Sequence, residues 1–449
     1  MKRFYNMMIC LLIALSITNC RDFLEEKSSS KLTTVESLTD LQALLDNYGF
    51  LNTEFAGSGE TGADDFYLTD AQYNSLNFEE DKRLYTWMPD HVAKPASLGN
   101  NWLSCYRAIY VSNAVLKSLE HNEFNGTEAD NIRGQALALR ASRYLDAVQI
   151  WCLAYDPSTA SESLGLPLRL DPDMNTPSSR ASLKDTYNQI LNDLLTAAPL
   201  LPEKQISKMR ISRAAVFGLL ARTYLWMGNY KEAFLYSEKA LAINNILMDF
   251  SALNPDSELP IKEMNDEVLF WAGMSYEYHL IPARIPENLY QKYDNNDLRR
   301  QIYFRVNDSG EIFYKGYYNN MNGPNTSVTV DELYLIAAES LVRNNKVSEG
   351  MQMLNNLLVT RWKPGTLTPL PTVPQEQALS VILEERRKEL LIRGLRWADI
   401  KRYNRDGANI TLTRTVNGKN YLLPPNDPRY ALAIPEEIIE LSGIQQNPR

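Results

Sequence analysis

The sequence predicts an all-α protein, a superhelix of stacked helix pairs interrupted by one long loop-rich region. Three observations carry this reading. Apolar residues recur mainly at helical spacing, one helix–turn–helix unit repeats at an offset of 117 positions, and residues 244–330 break the pattern with five prolines and many aromatic rings.

The first element is a leader. Lys2 and Arg3 precede an unbroken apolar run from Met7 to Leu15, and Cys20 follows Ile17-Thr18-Asn19. A basic head with an apolar core this short is a secretory signal and not a membrane span. Ending at a cysteine, it resembles a bacterial lipoprotein signal, so residues 1–19 are expected to be removed and Cys20 lipidated. The plain alternative is a cleaved signal with Cys20 as an ordinary thiol. Residues 20–30, with Glu25, Glu26 and the run Ser28-Ser29-Ser30, read as a polar tether between membrane and globule. Acidic residues directly after the cysteine resemble a surface-export signal.

Without Lys2 and Arg3 the 46 basic residues become 44 against 55 acidic ones, a net charge of about −11. That excess argues against nucleic acid or an acidic membrane surface as partner. Cys105 and Cys152 are expected as buried thiols, with a single bond between them as the alternative, so no disulfide framework holds the fold.

Next come the helices. Leu137, Ala141, Tyr144, Val148 and Trp151 form one apolar stripe, and Trp102, Ile109, Asn113 and Leu116 form another just before it, which predicts a helical hairpin over 101–154. A further helix is expected near 180–199. Over 213–245, Ala214, Phe217, Gly218, Ala221 and Leu225 make a first helix, Gly228-Asn229 a turn, and Tyr230, Ala233, Tyr236 and Ala240 a second. Small residues at the crossing and an aromatic after the turn resemble a tetratricopeptide repeat. A copy follows 117 positions on: Tyr334, Leu335, Ala338 and Val342, then Asn344-Asn345, then Val347, Gly350, Met353 and Leu357. Gly350 falls where Ala233 stood, as close helix packing requires. One pair cannot bury its own apolar face, so the pairs must stack.

Two stretches are read as loops, residues 50–100 and 244–330. Between Phe270 and Tyr318 stand twelve aromatic residues in 49, too many for a disordered linker. Flat rings with a polar edge suit the C–H faces of sugars. The candidates for ligand contact are Tyr85 and Trp87 in the first stretch and Trp271, Tyr276, Tyr278, Tyr317 and Tyr318 in the second. For any one of them the alternative is that it fills space beneath the loops, which need a small core of their own.

Chemistry-bearing motifs are sparse. His91, His121 and His279 are scattered without metal-ligand spacing. Asp171-Pro172-Asp173-Met174-Asn175 imitates the start of a calcium loop but has Thr176 and Ser182 where glycine and glutamate belong. There is no Gly-x-Ser-x-Gly elbow and no phosphate-binding glycine loop. No catalytic residue, metal or cofactor is assigned. The acid- and base-rich segment Glu385–Asp399 reads as structural: Leu383, Leu390, Gly394 and Trp397 share a face, and arginines beside it are expected to pair with Glu389 or Asp399 and fix helix packing.

Three segments together carry a resemblance. Cys20-Arg21-Asp22-Phe23-Leu24-Glu25-Glu26-Lys27 with Leu38-Thr39-Asp40-Leu41-Gln42-Ala43-Leu44-Leu45, then Glu385-Arg386-Arg387-Lys388-Glu389-Leu390 with Gly394 and Arg396-Trp397-Ala398-Asp399, and finally Ala433-Ile434-Pro435 and Gln446-Asn447-Pro448 resemble SusD/RagB-type lipoproteins. The resemblance implies a SusD-like α-α superhelix of about four tetratricopeptide-like pairs with a loop-rich part that holds the ligand. Residues 31–449 would form that domain, with 31–240 holding the first pairs, 241–330 an insertion and 331–449 the C-terminal part. It further implies a non-enzymatic protein at the outer-membrane surface, bound only through its lipid, that captures oligosaccharide or peptide for a SusC-like TonB-dependent transporter. A tetratricopeptide-type adaptor binding a protein partner is the alternative, and a surface glycoside hydrolase the third reading.

Overall fold

The computed structural model describes residues 37–90, 100–275, 278–318 and 323–449. Cys20, its tether and Tyr276 lie outside these, and so does the side chain of Tyr278.

Thirteen helices frame the description: α1 Leu38–Leu45, α2 Ser58–Gly62, α3 Glu79–Tyr85, α4 Asn101–His121, α5 Thr127–Trp151, α6 Leu183–Leu200, α7 Arg213–Met227, α8 Tyr230–Ile243, α9 Val330–Arg343, α10 Val347–Leu358, α11 Gln375–Glu389, α12 Arg396–Arg405 and α13 Glu436–Ser442. The strands come in antiparallel pairs: β1 Leu164–Pro167 with β2 Arg180–Ser182, β3 Val268–Phe270 with β6 Val328–Thr329, β4 Phe304–Val306 with β5 Ile312–Tyr314, and β7 Leu412–Val416 with β8 Lys419–Leu423. The fold is mostly α, as the periodicity predicted, with a few short strand pairs.

Through the stack from α4 to α11, each helix packs chiefly on its neighbours in sequence. α4 lies on α5, α5 on α6, α6 on α7, α7 on α8, α8 on α9, and α9 on α10 and α11. The predicted hairpin is α4–α5, and its stripe from Leu137 to Trp151 is buried. α7 and α8 turn at Gly228, and Asn229 caps α8 by accepting from the Glu232 N–H at 3.3 Å. In the second copy, a Cβ on Gly350 would lie 2.8 Å from the Ala338 carbonyl oxygen and 2.6 Å from Val342 Cγ2, so this crossing admits no side chain. Cys105 and Cys152 are free and buried.

Within the first loop stretch, residues 50–90 are more ordered than a loop reading allows. They hold α2, a short helix at Asp70–Asn74 and α3. The short helix is too brief to show periodicity, and its start is stabilised by a Thr69/Gln72 capping box.

Buried charges tie the elements together. Arg140 on α5 donates Nε and Nη2 to Asp193 on α6, both at 2.7 Å, and Arg222 on α7 reaches Glu332 on α9 at 2.9 and 2.6 Å. The Glu385–Asp399 segment is the densest knot. Asp399 accepts from Arg386 Nε and Arg402 Nε, each at 2.8 Å, while Arg402 also clasps Glu339 at 2.5 and 2.8 Å. Burial alone would raise the Glu339 carboxyl, yet Arg402 holds it down at about 2. Arg386 makes the expected pair with Asp399 but is fully buried, not half-buried, while Arg387 turns to Asp64 and Asp65 and Glu389 is paired by Arg299 and Arg361 from outside the segment.

The apolar interior has two parts. The larger runs through the helix stack. The second lies under the loop-rich region and is built from rings such as Phe66, Tyr85, Tyr303 and Tyr314.

Candidate ligand-binding site

The loop-rich region is rooted in the stack. β3 pairs with β6, and bridges between Gly273 and Asn325 and between Phe55 and Met274 continue that pairing outward. A bridge between Tyr67 and Arg284 binds the two loop stretches to each other.

Five of the ring candidates belong to the interior. Tyr85, Trp87, Trp271, Tyr317 and Tyr318 are 1–3% exposed and present no free face to solvent. Tyr85 and Trp87 are brought together by Arg414 of β7, whose Cζ sits 3.8 Å and 4.7 Å from their ring centres. The Tyr85 hydroxyl accepts from the Leu68 N–H at 2.7 Å, and Trp87 Nε1 donates to the Gly62 carbonyl at 2.9 Å. Tyr317 meets Tyr314 edge-on at 4.9 Å. Tyr318 lies under Arg393 at 4.0 Å and donates its hydroxyl to Glu267 at 2.9 Å. These rings therefore occupy the alternative position, beneath the loops. The physical reason is that segments with so little secondary structure must bury their apolar mass in a core of their own.

Glu60 on α2 is the most perturbed acid at this face. It is 1% exposed, one oxygen accepts from the Gly394 N–H at 2.9 Å, and the other has no protein partner. Burial, with Asp65 adding repulsion, raises its carboxyl to about 8. His279 shares a 2.9 Å hydrogen bond with the Thr61 hydroxyl. Among the described residues no group of three or more His, Cys, Asp or Glu is placed to hold a metal ion.

A large concavity with one exposed ring, Tyr110, lies on another face. A groove of about 730 Å³ runs between α4, the segment 167–178 and α13. Trp102, Tyr106 and Tyr110 line it from successive turns of α4. Trp102 and Tyr106 stack at 4.7 Å with 27° between their planes, and Tyr110 is 44% exposed. The Tyr106 hydroxyl donates to the Pro167 carbonyl at 3.0 Å. Arg169 fastens the opposite wall by donating to the Thr176 carbonyl at 2.6 Å and the Ser178 hydroxyl at 3.0 Å. Met174 and Leu441 project at the rim, each 79% exposed. Pockets of this size with rings on the floor and polar groups around them suit small molecules. Sequence reading took Trp102 only as part of a core stripe. The signal for the groove was the 102/106/110 spacing, one ring per turn on a single helix face.

Comparisons with known proteins agree with this architecture. Residues 22–225 match a family described as starch-binding and associating with the outer membrane, and residues 330–436 match the SusD family. The SusD-like protein P2 of Formosa agariphila is 26% identical over 415 residues, covering 75% of this chain and 76% of that protein. Among solved structures, a SusD superfamily protein from Bacteroides thetaiotaomicron has a TM-score of 0.75 at 20% identity, covering 92% of this chain and 100% of the other. A putative sugar binding protein from Bacteroides vulgatus has a TM-score of 0.76 at 20% identity, covering 93% and 99%. The chain belongs to the SusD/RagB family. That family comprises sugar-binding, non-catalytic proteins of the outer membrane. Among the described residues no helix is long and apolar enough to cross a membrane.

Proposed function

We propose that this protein is a surface lipoprotein, anchored through Cys20, that captures an oligosaccharide or peptide and delivers it to a SusC-like TonB-dependent transporter. The observation that carries the saccharide reading is the groove on α4, where Trp102, Tyr106 and Tyr110 line about 730 Å³ of accessible space. The exposed Tyr110 ring offers a flat face to a sugar, and polar groups of the 167–178 wall meet its hydroxyls. The stack of helix pairs supplies a stiff body that can sit over a barrel as a lid. A lipid on Cys20 keeps that lid close to its barrel when open and so raises the effective concentration for re-closure.

The test has three parts. A glycan array probed with the purified chain identifies the ligand, and Tyr110→Ala is expected to weaken that binding while leaving the fold intact. Tyr67→Ala, at the 43% exposed ring of the loop-rich face, reports on the other surface. Loss in the Tyr67 variant alone would move the site there. Membrane fractionation of Cys20→Ala is expected to show release into the soluble fraction, and co-purification from membranes is expected to bring down a TonB-dependent barrel.

The exposed Leu441 and Met174 favour a second reading, a tetratricopeptide adaptor that takes a protein partner at the same groove. Measuring glycan and partner binding separately in Tyr110→Ala and Leu441→Ser distinguishes the two: loss of glycan binding in the first supports the saccharide reading, and loss of partner binding alone in the second supports the adaptor.

A further inference from the structure

A small cavity of about 20 Å³ lies where α5 and α7 meet the base of the loop-rich region at β3 and β6. Every residue on its wall is buried. Leu145 and Val328 supply apolar surface, while Gln149, Trp226, Arg222 and Thr326 supply polar groups.

Two of those polar groups are unmatched. The Trp226 indole N–H is a donor and Gln149 Oε1 an acceptor, and neither has a partner in the protein although the residues are only 4% and 5% exposed. The Gln149 amide cannot turn to relieve this. Its Nε2 donates to Asp146 Oδ1 at 3.3 Å, and turning the amide would set its oxygen against that carboxylate. Asp146 is itself fixed by the Ala56 N–H, which donates to Oδ2 at 2.9 Å. A buried donor and a buried acceptor left unmatched are each costly, and native interiors rarely hold either.

One water molecule meets both needs, since it accepts from an N–H and donates to a carbonyl oxygen. It requires roughly 10–15 Å³ and two to four polar partners, and this cavity offers both. A neighbouring space of about 10 Å³, lined by the same two residues with Tyr187 and Ala398, falls at the lower bound.

We propose that the larger cavity binds a single water, which accepts from Trp226 Nε1 and donates to Gln149 Oε1, with Arg222 and Thr326 as its further neighbours. The water is then a polar link between α5 and α7. It sits beside Arg222, whose Nη2 donates to the Ser327 carbonyl at 3.0 Å and ties α7 to the residue before β6. The inference is independent of the groove.

The test uses the purified full chain, isotope-labelled for NMR. The chain has seven tryptophans, so the indole N–H signals are few enough to resolve. Trp226→Phe assigns its signal by loss. In wild type that signal is expected to show direct cross-relaxation with a water that stays bound for longer than the protein takes to tumble. Trp87 donates its indole N–H to the Gly62 carbonyl, so it is the dry control and is expected to show none. Ala272→Val narrows the cavity and is expected to abolish the water contact at Trp226. A crystal structure of the wild type is expected to show one solvent peak within hydrogen-bond distance of both Nε1 and Oε1. Should Trp226→Phe fail to fold, that peak decides alone. No water contact at Trp226, an unchanged contact in Ala272→Val, or a cavity without solvent density overturns the proposal.

Discussion

Arg361 Nε donates to Glu389 Oε1 at 2.8 Å with neither residue open to solvent, and the second oxygen of that carboxylate takes Arg299 Nη1 at 2.9 Å. Arg361 follows α10, Glu389 ends α11, and Arg299 belongs to the loop-rich region. Arg361 goes on to Glu267 at 2.6 Å, just before β3. One carboxylate therefore pins the irregular part of the molecule to the helix stack. Glu389→Gln is expected to cost about 2 kcal/mol, because two buried guanidinium groups lose their shared partner while Arg361 keeps Glu267 and Arg299 keeps Asp297 and Glu385. Chemical denaturation measures this, and a loss under about 1 kcal/mol would contradict the clamp.

Gly394 follows the same motif with φ of +69°, and a Cβ there would meet Met274 Sδ at 2.8 Å. Gly394→Ala is expected to destabilise by about 1–3 kcal/mol through backbone strain, with the clash adding to it. Thermal unfolding reads the loss.

Glu60 gives a pH dependence with a defined sign. Its carboxyl rises from 4.5 to about 8 on burial, so the folded chain binds more protons than the unfolded chain between those values. Stability from this group is fully present below the window and falls as pH rises through it. Glu60→Gln stays neutral and can still accept from the Gly394 N–H. Its Tm relative to wild type should therefore climb between about pH 5 and about pH 9. A difference that does not change with pH would mean that Glu60 is ionised in the fold.

The rings divide into supports and candidate contacts. Trp87→Ala is expected to cost about 3–5 kcal/mol, as other large buried aromatics do. Tyr110→Ala should change stability by no more than about 0.5 kcal/mol while weakening saccharide binding about tenfold. Paired unfolding and binding curves separate the two classes, and a Tyr110 variant that binds normally would remove α4 from the site.

The helix pairs were legible because their signals are local. Gly350 packs on Ala338 and Val342 just across its own turn, and the Gly228 and Asn345 turns sit at corresponding places. The Glu385–Asp399 segment was legible as structural for the same reason, since its apolar face is visible in the spacing. The rings were not. Tyr85 is buried by Arg414 and Tyr318 by Arg393 and Glu267, partners far away in the chain that no window of residues reveals. A tyrosine in a proline-rich stretch reads alike whether its ring meets a ligand or a guanidinium. The groove was missed for a related reason: α4 shows its ring spacing plainly, but only the fold brings residues 167–178 and α13 alongside it.

The pairing of β3 with β6 closes residues 271–327 at their base, so this excursion leaves the stack and returns to it at one point. A segment with adjacent ends behaves as an exchangeable cassette. Its length and ring content can change while the spacing between α8 and α9 stays as it is, provided that an acid like Glu389 remains to lock it.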